Sequence, residues 1–159
     1  MPGVAGFDLP TTDATCLLVA EIARDDAGWI ESTRVRAAWT FRSGHVDPHR
    51  RKALPLLDAR LALPLDGRNQ AAAQAPLTFT VDIGRHSGSL GGPVRDVRLW
   101  ASSDDGRRWT PLTVERGGGA WRATVHNPAG GFVSLRVLVS DSSGNRLDET
   151  IIRGYQIAG

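Results

Sequence analysis

In this chain of 159 residues, apolar side chains recur at every second position in segment after segment, while helical periodicity is nearly absent. Eighteen Gly and 9 Pro punctuate the intervals between those segments. Alternation with period two marks strands that bury one face, and Gly and Pro mark the turns that join them. Together these observations predict an all-β fold.

The first segment is Thr15–Arg24, which turns through Asp25, Asp26, Ala27 and Gly28. A return strand follows, with Val35, Ala37, Trp39 and Phe41 on one face and Arg34, Arg36 and Thr40 on the other. Two alternating runs joined by an Asp/Gly-rich turn read as a β-hairpin. Ser43–Lys52 is polar and broken by Gly44 and Pro48, so it reads as a linker.

Seven strand candidates come after it. Leu57, Ala59, Leu61 and Leu63 alternate with Asp58 and Arg60, and Leu77, Phe79, Val81 and Ile83 alternate with Thr78, Thr80 and Asp82. Val97, Leu99 and Ala101 alternate with Arg98, Trp100 and Ser102. A short strand spans Trp109–Val114, and Trp121, Ala123 and Val125 alternate with Arg122, Thr124 and His126. Val133, Leu135, Val137 and Val139 alternate with Ser134 and Arg136. The last strand, Leu147–Ile157, has an ambiguous inner face because Ile151 and Ile152 are adjacent. Seven short strands in about 105 residues indicate an immunoglobulin-like or fibronectin type III-like β-sandwich preceded by a hairpin. Residues 1–50 are therefore expected to be the closing hairpin of a preceding β module plus a linker, and residues 51–159 the sandwich.

Composition narrows the function classes. A hydrophobic content of 41% with 5 Trp supplies a core, which argues against a disordered chain. Nineteen basic against 17 acidic residues give +2, too near neutral to suggest a polyanion partner. Eighteen of the 19 basic residues are Arg, a bias typical of a GC-rich genome. The one basic triplet, Arg50-Arg51-Lys52, has no aromatic neighbour, so nucleic-acid binding is not expected. A single Cys excludes an internal disulfide and a Cys-based zinc site. The longest apolar stretch, Cys16–Ala20, is far short of the ~20 residues of a membrane span. Met1–Asp8 lacks the basic start of a signal peptide. Taken alone the chain is expected in the cytoplasm; as the tail of a longer secreted protein it is expected outside the cell.

No catalytic constellation is expected. No Ser lies in a G-x-S-x-G elbow, and none of His45, His49, His86 and His126 is spaced to serve a nucleophile. His45 and His49 flank Asp47 and Pro48, and the proline interrupts the helix that a helical His pair on a metal needs. No metal or cofactor is expected. Asp141-Ser142-Ser143-Gly144-Asn145 places oxygen ligands at alternate positions, as a calcium loop does, but a Gly-Asn turn between strands explains the same residues.

Ser102-Ser103-Asp104-Asp105-Gly106-Arg107-Arg108-Trp109 fits the S-x-D-x-G-x-x-W pattern of an Asp-box hairpin turn. Asp104 accepts backbone N–H groups there, Gly106 allows the backbone its turn, and Trp109 packs back over the hairpin. Ser102, Asp104, Gly106 and Trp109 are thus expected to be structural. Sialidase propellers carry this motif once per blade, and one copy argues against a propeller. Trp100, on the face opposite Leu99, is the candidate exposed anchor for a ligand.

The order of segments resembles the C-terminal region of large secreted subtilisin-like serine peptidases of high-GC Gram-positive bacteria. The matching stretches are Ser32-Thr33-Arg34 leading to Trp39-Thr40-Phe41-Arg42-Ser43, and then Leu54-Pro55-Leu56-Leu57. Ser103-Asp104-Asp105-Gly106 with Trp109 comes next, then Phe132-Val133-Ser134-Leu135-Arg136, Asp141 with Gly144-Asn145, and Ile152-Arg153-Gly154-Tyr155. The similarity runs from about residue 7 to residue 158. In that family the catalytic triad lies far upstream, and its characteristic segments are missing from this chain, so no catalytic residue carries over. The resemblance implies a non-catalytic accessory module that packs against upstream peptidase domains of the same polypeptide, or serves surface placement or substrate capture. Two other readings stand beside it: a free-standing Ig-like module that binds carbohydrate or protein, and an Ig-like accessory domain of a redox enzyme. The last reading rests on similar single turns in sulfite oxidase-type enzymes.

Overall fold

A computed structural model of the chain describes residues 11–24, 26, 28–47, 49–50 and 52–159. Among these residues there is no helix, and so none long and apolar enough to cross a membrane. The strands are β1 (Ala14–Ala23), β2 (Arg34–Ser43), β3 (Leu57–Ala62), β4 (Gln70–Ala71), β5 (Pro76–Arg85) and β6 (Val94–Ser102). They continue with β7 (Thr110–Leu112), β8 (Val114–Gly117), β9 (Ala120–His126), β10 (Phe132–Asp141) and β11 (Arg146–Ile157). A strand stands at each of the nine predicted places. The candidate at Trp109–Val114 is confined to β7, and β4 and β8 are additional.

The strands form two sheets. The larger has the order β1-β2-β11-β10-β6-β7, with β4 added alongside the end of β11, and the smaller has the order β3-β5-β9-β8. All pairings are antiparallel except the short parallel contact of β4 with β11. The sheets face each other over a shared core, in a sandwich-like arrangement.

The registers explain the core. Directly opposed residues share a face, so apolar side chains line up in rows across strands. One inner row runs Trp39–Leu147–Val139–Val97, and another runs Val35–Ile151–Leu135–Ala101. Leu57, Phe79, Val81, Ala123 and Val125 meet them from the smaller sheet. β11 resolves the ambiguity at Ile151–Ile152 with a bulge. Val133 opposes Tyr155 and Leu135 opposes Ile151, so residues 152–154 lie opposite Ser134 alone. Arg153 adopts φ 56° there, and its N–H donates to Ser134 Oγ at 3.0 Å. Ile151, Tyr155 and Ile157 stay on the inner face because the bulge adds an even number of residues, and Tyr155 is fully buried with its hydroxyl donating to Asn127 Oδ1 at 2.8 Å. Desolvation pushes the Tyr155 phenol well above its ordinary pKa.

The division of the chain at residue 50 needs correction. The hairpin was expected to stand apart from the sandwich, yet β2 pairs with β11 from Thr40–Arg146 to Arg34–Ile152. Ala37 and Phe41 are buried, and the Trp39 indole donates to the Leu57 carbonyl of the smaller sheet at 2.7 Å. The cause is simple: without β2, β11 would expose a row of unpaired backbone groups, and apart from the sandwich the apolar side of β2, with Trp39 and Ala37, would have no cover. The Ser43–Lys52 stretch is thus a connection between the two sheets. Within it, Asp47 Oδ1 accepts the His49 N–H at 2.8 Å. Met1–Asp8, Asp25, Ala27, Pro48 and Arg51, which entered the sequence reading, lie outside the described residues.

One inner row carries a charge-bearing residue: Ala37–Glu149–Val137–Leu99. Burial raises the Glu149 pKa, and the nearby Asp58 carboxylate adds to the shift.

Two predictions follow from this packing. Deleting residues 1–50 removes the cover on β11 and the buried Phe41, and should cost at least about 3 kcal/mol, the lower end for loss of one large aromatic. A thermal melt close to that of the full chain would show the hairpin to be dispensable. Because the folded pKa of Glu149 is raised, its favourable contribution is full below the ordinary carboxyl value of 4.5 and is lost as pH rises through the raised value. Glu149→Gln should therefore melt higher than the parent at neutral pH, with the difference vanishing in acid; equal melting temperatures at neutral pH would contradict this.

Candidate functional site

The loop from Ser102 to Trp109 joins β6 to β7 and is tied together through two side chains. Ser102 is buried; its Oγ donates to Asp104 Oδ1 at 2.7 Å and accepts the Gly106 N–H at 2.9 Å. Asp104 Oδ1 also accepts the Arg108 N–H at 2.9 Å. These hydrogen bonds stabilise the carboxylate, with the Arg108 amide first and the Ser102 hydroxyl second, and hold Asp104 below its ordinary pKa. Asp105 and Gly106 both take left-handed backbone, with φ 57° and 83°. A Cβ on Gly106 would sit 2.9 Å from Ile152 Cδ1 and 3.2 Å from Trp109 Cζ2, so the position is closed to side chains by space as well as by conformation. Trp109 is half-buried and folds back over Gly106.

The turn is fastened to the β11 bulge by contacts that sequence spacing does not show. Arg153 donates Nε to Asp105 Oδ1 and Nη2 to Asp105 Oδ2, both at 2.9 Å, from 48 positions away. Arg153 holds the Asp105 carboxyl below its ordinary pKa, and its guanidinium stacks 4.9 Å from the Phe132 ring centroid. The pair is partly exposed, so its own worth is about 0–1 kcal/mol; its geometric effect is to align the turn with the bulge.

Trp100 lies on the outer face of the larger sheet, as expected from alternation, but it is half-buried where an exposed anchor was expected. Arg136, its cross-strand partner, places its guanidinium 5.6 Å from the ring centroid. Arg136 is itself held by Asp148 through Nε–Oδ1 at 2.9 Å and Nη2–Oδ2 at 2.6 Å. An ordered arginine beside the indole narrows the face available for stacking.

Asp141 is a turn residue. Oδ1 accepts the N–H groups of Ser143 and Asn145, each at 2.9 Å, while Oδ2 accepts Asn145 Nδ2 at 2.9 Å and pairs with Arg85 Nη2 at 2.9 Å. Its side chain is fully buried, and Arg85 also donates to the Gly92 carbonyl. Both oxygens of the candidate calcium ligand are thus occupied by amides and a guanidinium.

A cleft of about 370 Å³ opens where β6 and β7 meet β9. Ser103, Thr110, Thr124 and His126 stand on its walls above Leu112 and Val133. This volume falls within the range of small-ligand sites. His45, His49, His86 and His126 are all exposed, and among the described residues no three His, Cys, Asp or Glu side chains gather as a metal-holding group.

The chain matches no family model and no curated protein.

The turn geometry predicts how two substitutions behave. Trp109→Ala should destabilise, but by less than the about 3–5 kcal/mol of a fully buried aromatic, because the ring is half-exposed. Asp104→Ala leaves the Arg108 amide without its acceptor and should lower the melting temperature. Since the folded pKa of Asp104 is depressed, the stability it confers is full above its ordinary value of 3.8 and is lost as pH falls through the depressed one. Chemical denaturation of both variants at neutral pH checks the pair, and unchanged midpoints would contradict the structural role of the turn.

Proposed function

We propose that the chain is a non-catalytic accessory β-sandwich module that acts through its surfaces, as the C-terminal part of a secreted subtilisin-like serine peptidase. The observation that carries the non-catalytic half is the commitment of its reactive groups: Ser102, Asp104 and Asp141 are held in turns by the bonds described above, and each histidine is solvent-exposed. The peptidase half rests on the order of the segments that resemble that family. On this reading the partners are upstream domains of the same polypeptide, and the module is extracellular.

A second reading, a free-standing module for carbohydrate, is favoured by the cleft with its hydroxyl-bearing walls, with Trp100 on the opposite, outer face of the larger sheet as a separate candidate anchor. A glycan array separates the two: saturable binding to one saccharide class, lost in Trp100→Ala or Thr124→Val, supports the carbohydrate reading.

The chain is expected to hydrolyse no peptide bond by itself. Incubation with casein and with a fluorophosphonate probe should give neither cleavage nor labelling. Labelling of a single Ser would overturn the non-catalytic reading. An in-frame subtilase catalytic domain upstream of residue 1 in the native gene is the expected genetic context, and a stop codon there would remove the peptidase assignment.

A further inference from the structure

We propose that the free edge of β1 pairs antiparallel with β1 of a second copy of this chain, joining two larger sheets into one continuous sheet. The two strand orders end in four edge strands, apart from the two-residue β4 beside β11, and three of the four are blunted. β7 is three residues long and contains Pro111, and β8 is four residues long with Glu115, Arg116 and Gly117. β3 alternates Asp58 and Arg60 with its apolar residues, and its Leu57 carbonyl is already taken by the Trp39 indole. Proline, charge, brevity and cover are the devices that keep edges from pairing.

β1 has only one of them, a single charge. It is ten residues long, Ala-Thr-Cys-Leu-Leu-Val-Ala-Glu-Ile-Ala, and its register with β2 runs through ten pairs without a bulge. Its one charge, Glu21, is paired to Arg34 of β2 at 3.3 Å. Among the described residues nothing pairs with its other side. Six large apolar residues are exposed among the described residues, and five of them are in β1 or in the turn that follows: Leu17 (67%), Val19 (42%), Ile22 (54%), Trp29 (52%) and Ile30 (49%). A row of unpaired N–H and C=O groups between apolar side chains is recognised by another apolar strand.

The occupant is a second copy because the same unblunted edge exists on it, and because the charges permit it. Opposed residues must share a face, so a two-fold axis perpendicular to the sheet has to pass through a residue. Leu18 or Val19 at the axis gives the longest overlaps. Either choice keeps the two Glu21 carboxylates at least about four residues, or about 13 Å, apart along the strand, beyond the roughly 8–10 Å over which charges act at ordinary ionic strength. No like charges oppose each other, and with Leu18 at the axis Leu17 of one copy faces Val19 of the other. A strip about 33 Å long and about 10 Å wide gives roughly 660 Å² over both copies, below the about 1,200–2,000 Å² of stable interfaces. The dimer is therefore reversible and concentration-dependent.

Sedimentation velocity of the full chain in the presence of a thiol reductant, which excludes a Cys16 disulfide, tests this over a concentration series from low micromolar to millimolar. A monomer–dimer equilibrium is expected. Val19→Lys places like charges close to the two-fold axis and should weaken dimerisation by about tenfold or more, a change of about 1.4 kcal/mol or above. Leu17→Glu, at a still more exposed position, is the second variant, and the melting temperature of each confirms that it folds. A chain that stays monomeric throughout, a dimer untouched by both substitutions, or an open-ended ladder of oligomers would each overturn the proposal. The first of these would leave the edge to a strand of another protein.

Discussion

Strand β11 is the element on which the rest of the molecule depends. It is hydrogen-bonded on both sides, to β2 and to β10, and its last residues also take β4. Leu147, Tyr155 and Ile157 from this one strand are buried in the core. Its bulge at residues 152–154 takes up two extra residues without changing the phase of those inward positions. The same bulge presents Arg153 to the Asp105 carboxylate and Ile152 to Gly106, so the conformation of the Ser102–Trp109 turn is set from the far end of the chain.

Much of the fold was legible in the sequence. Strand after strand announced itself by alternation, because each has one face in the core and one in solvent. The exceptions are informative. β4 is two residues, Gln70–Ala71, too short to alternate, and it exists because Asn69 accepts the Gln156 N–H and passes the chain alongside β11. The region after Trp109 read as one strand, but Thr113 separates β7 from β8 and the chain changes sheets there. The hairpin was set apart because Ser43–Lys52 has the composition of a domain linker. Composition does not distinguish a linker between domains from a connection between two sheets of one sandwich; only the pairing of β2 with β11 does.

The candidate site divides in the same way. The Asp-box spacing brings Ser102, Asp104 and Gly106 together because the hydrogen bonds among them are local. Asp105–Arg153 and Trp100–Arg136–Asp148 could not be read, since each joins residues that only the sheet order brings together. Trp100 stands on the outer face, and the arginine beside it belongs to the neighbouring strand. The result is a molecule whose polar side chains mostly fasten turns and strands to each other, with the β6–β9 cleft and the β1 edge left as its least committed surfaces.

Hydrogen exchange of the full chain tests the central claim, that β2 and β11 belong to one cooperative sheet. Amides of a single cooperative unit exchange through the same opening reaction and share its free energy. The account predicts that the β2 amides bonded to β11 and the β11 amides bonded to β10 exchange only through global unfolding, with the same denaturant dependence. Exchange of the β2 amides by a separate, much lower-energy opening, while β10 and β11 stay protected, would contradict it.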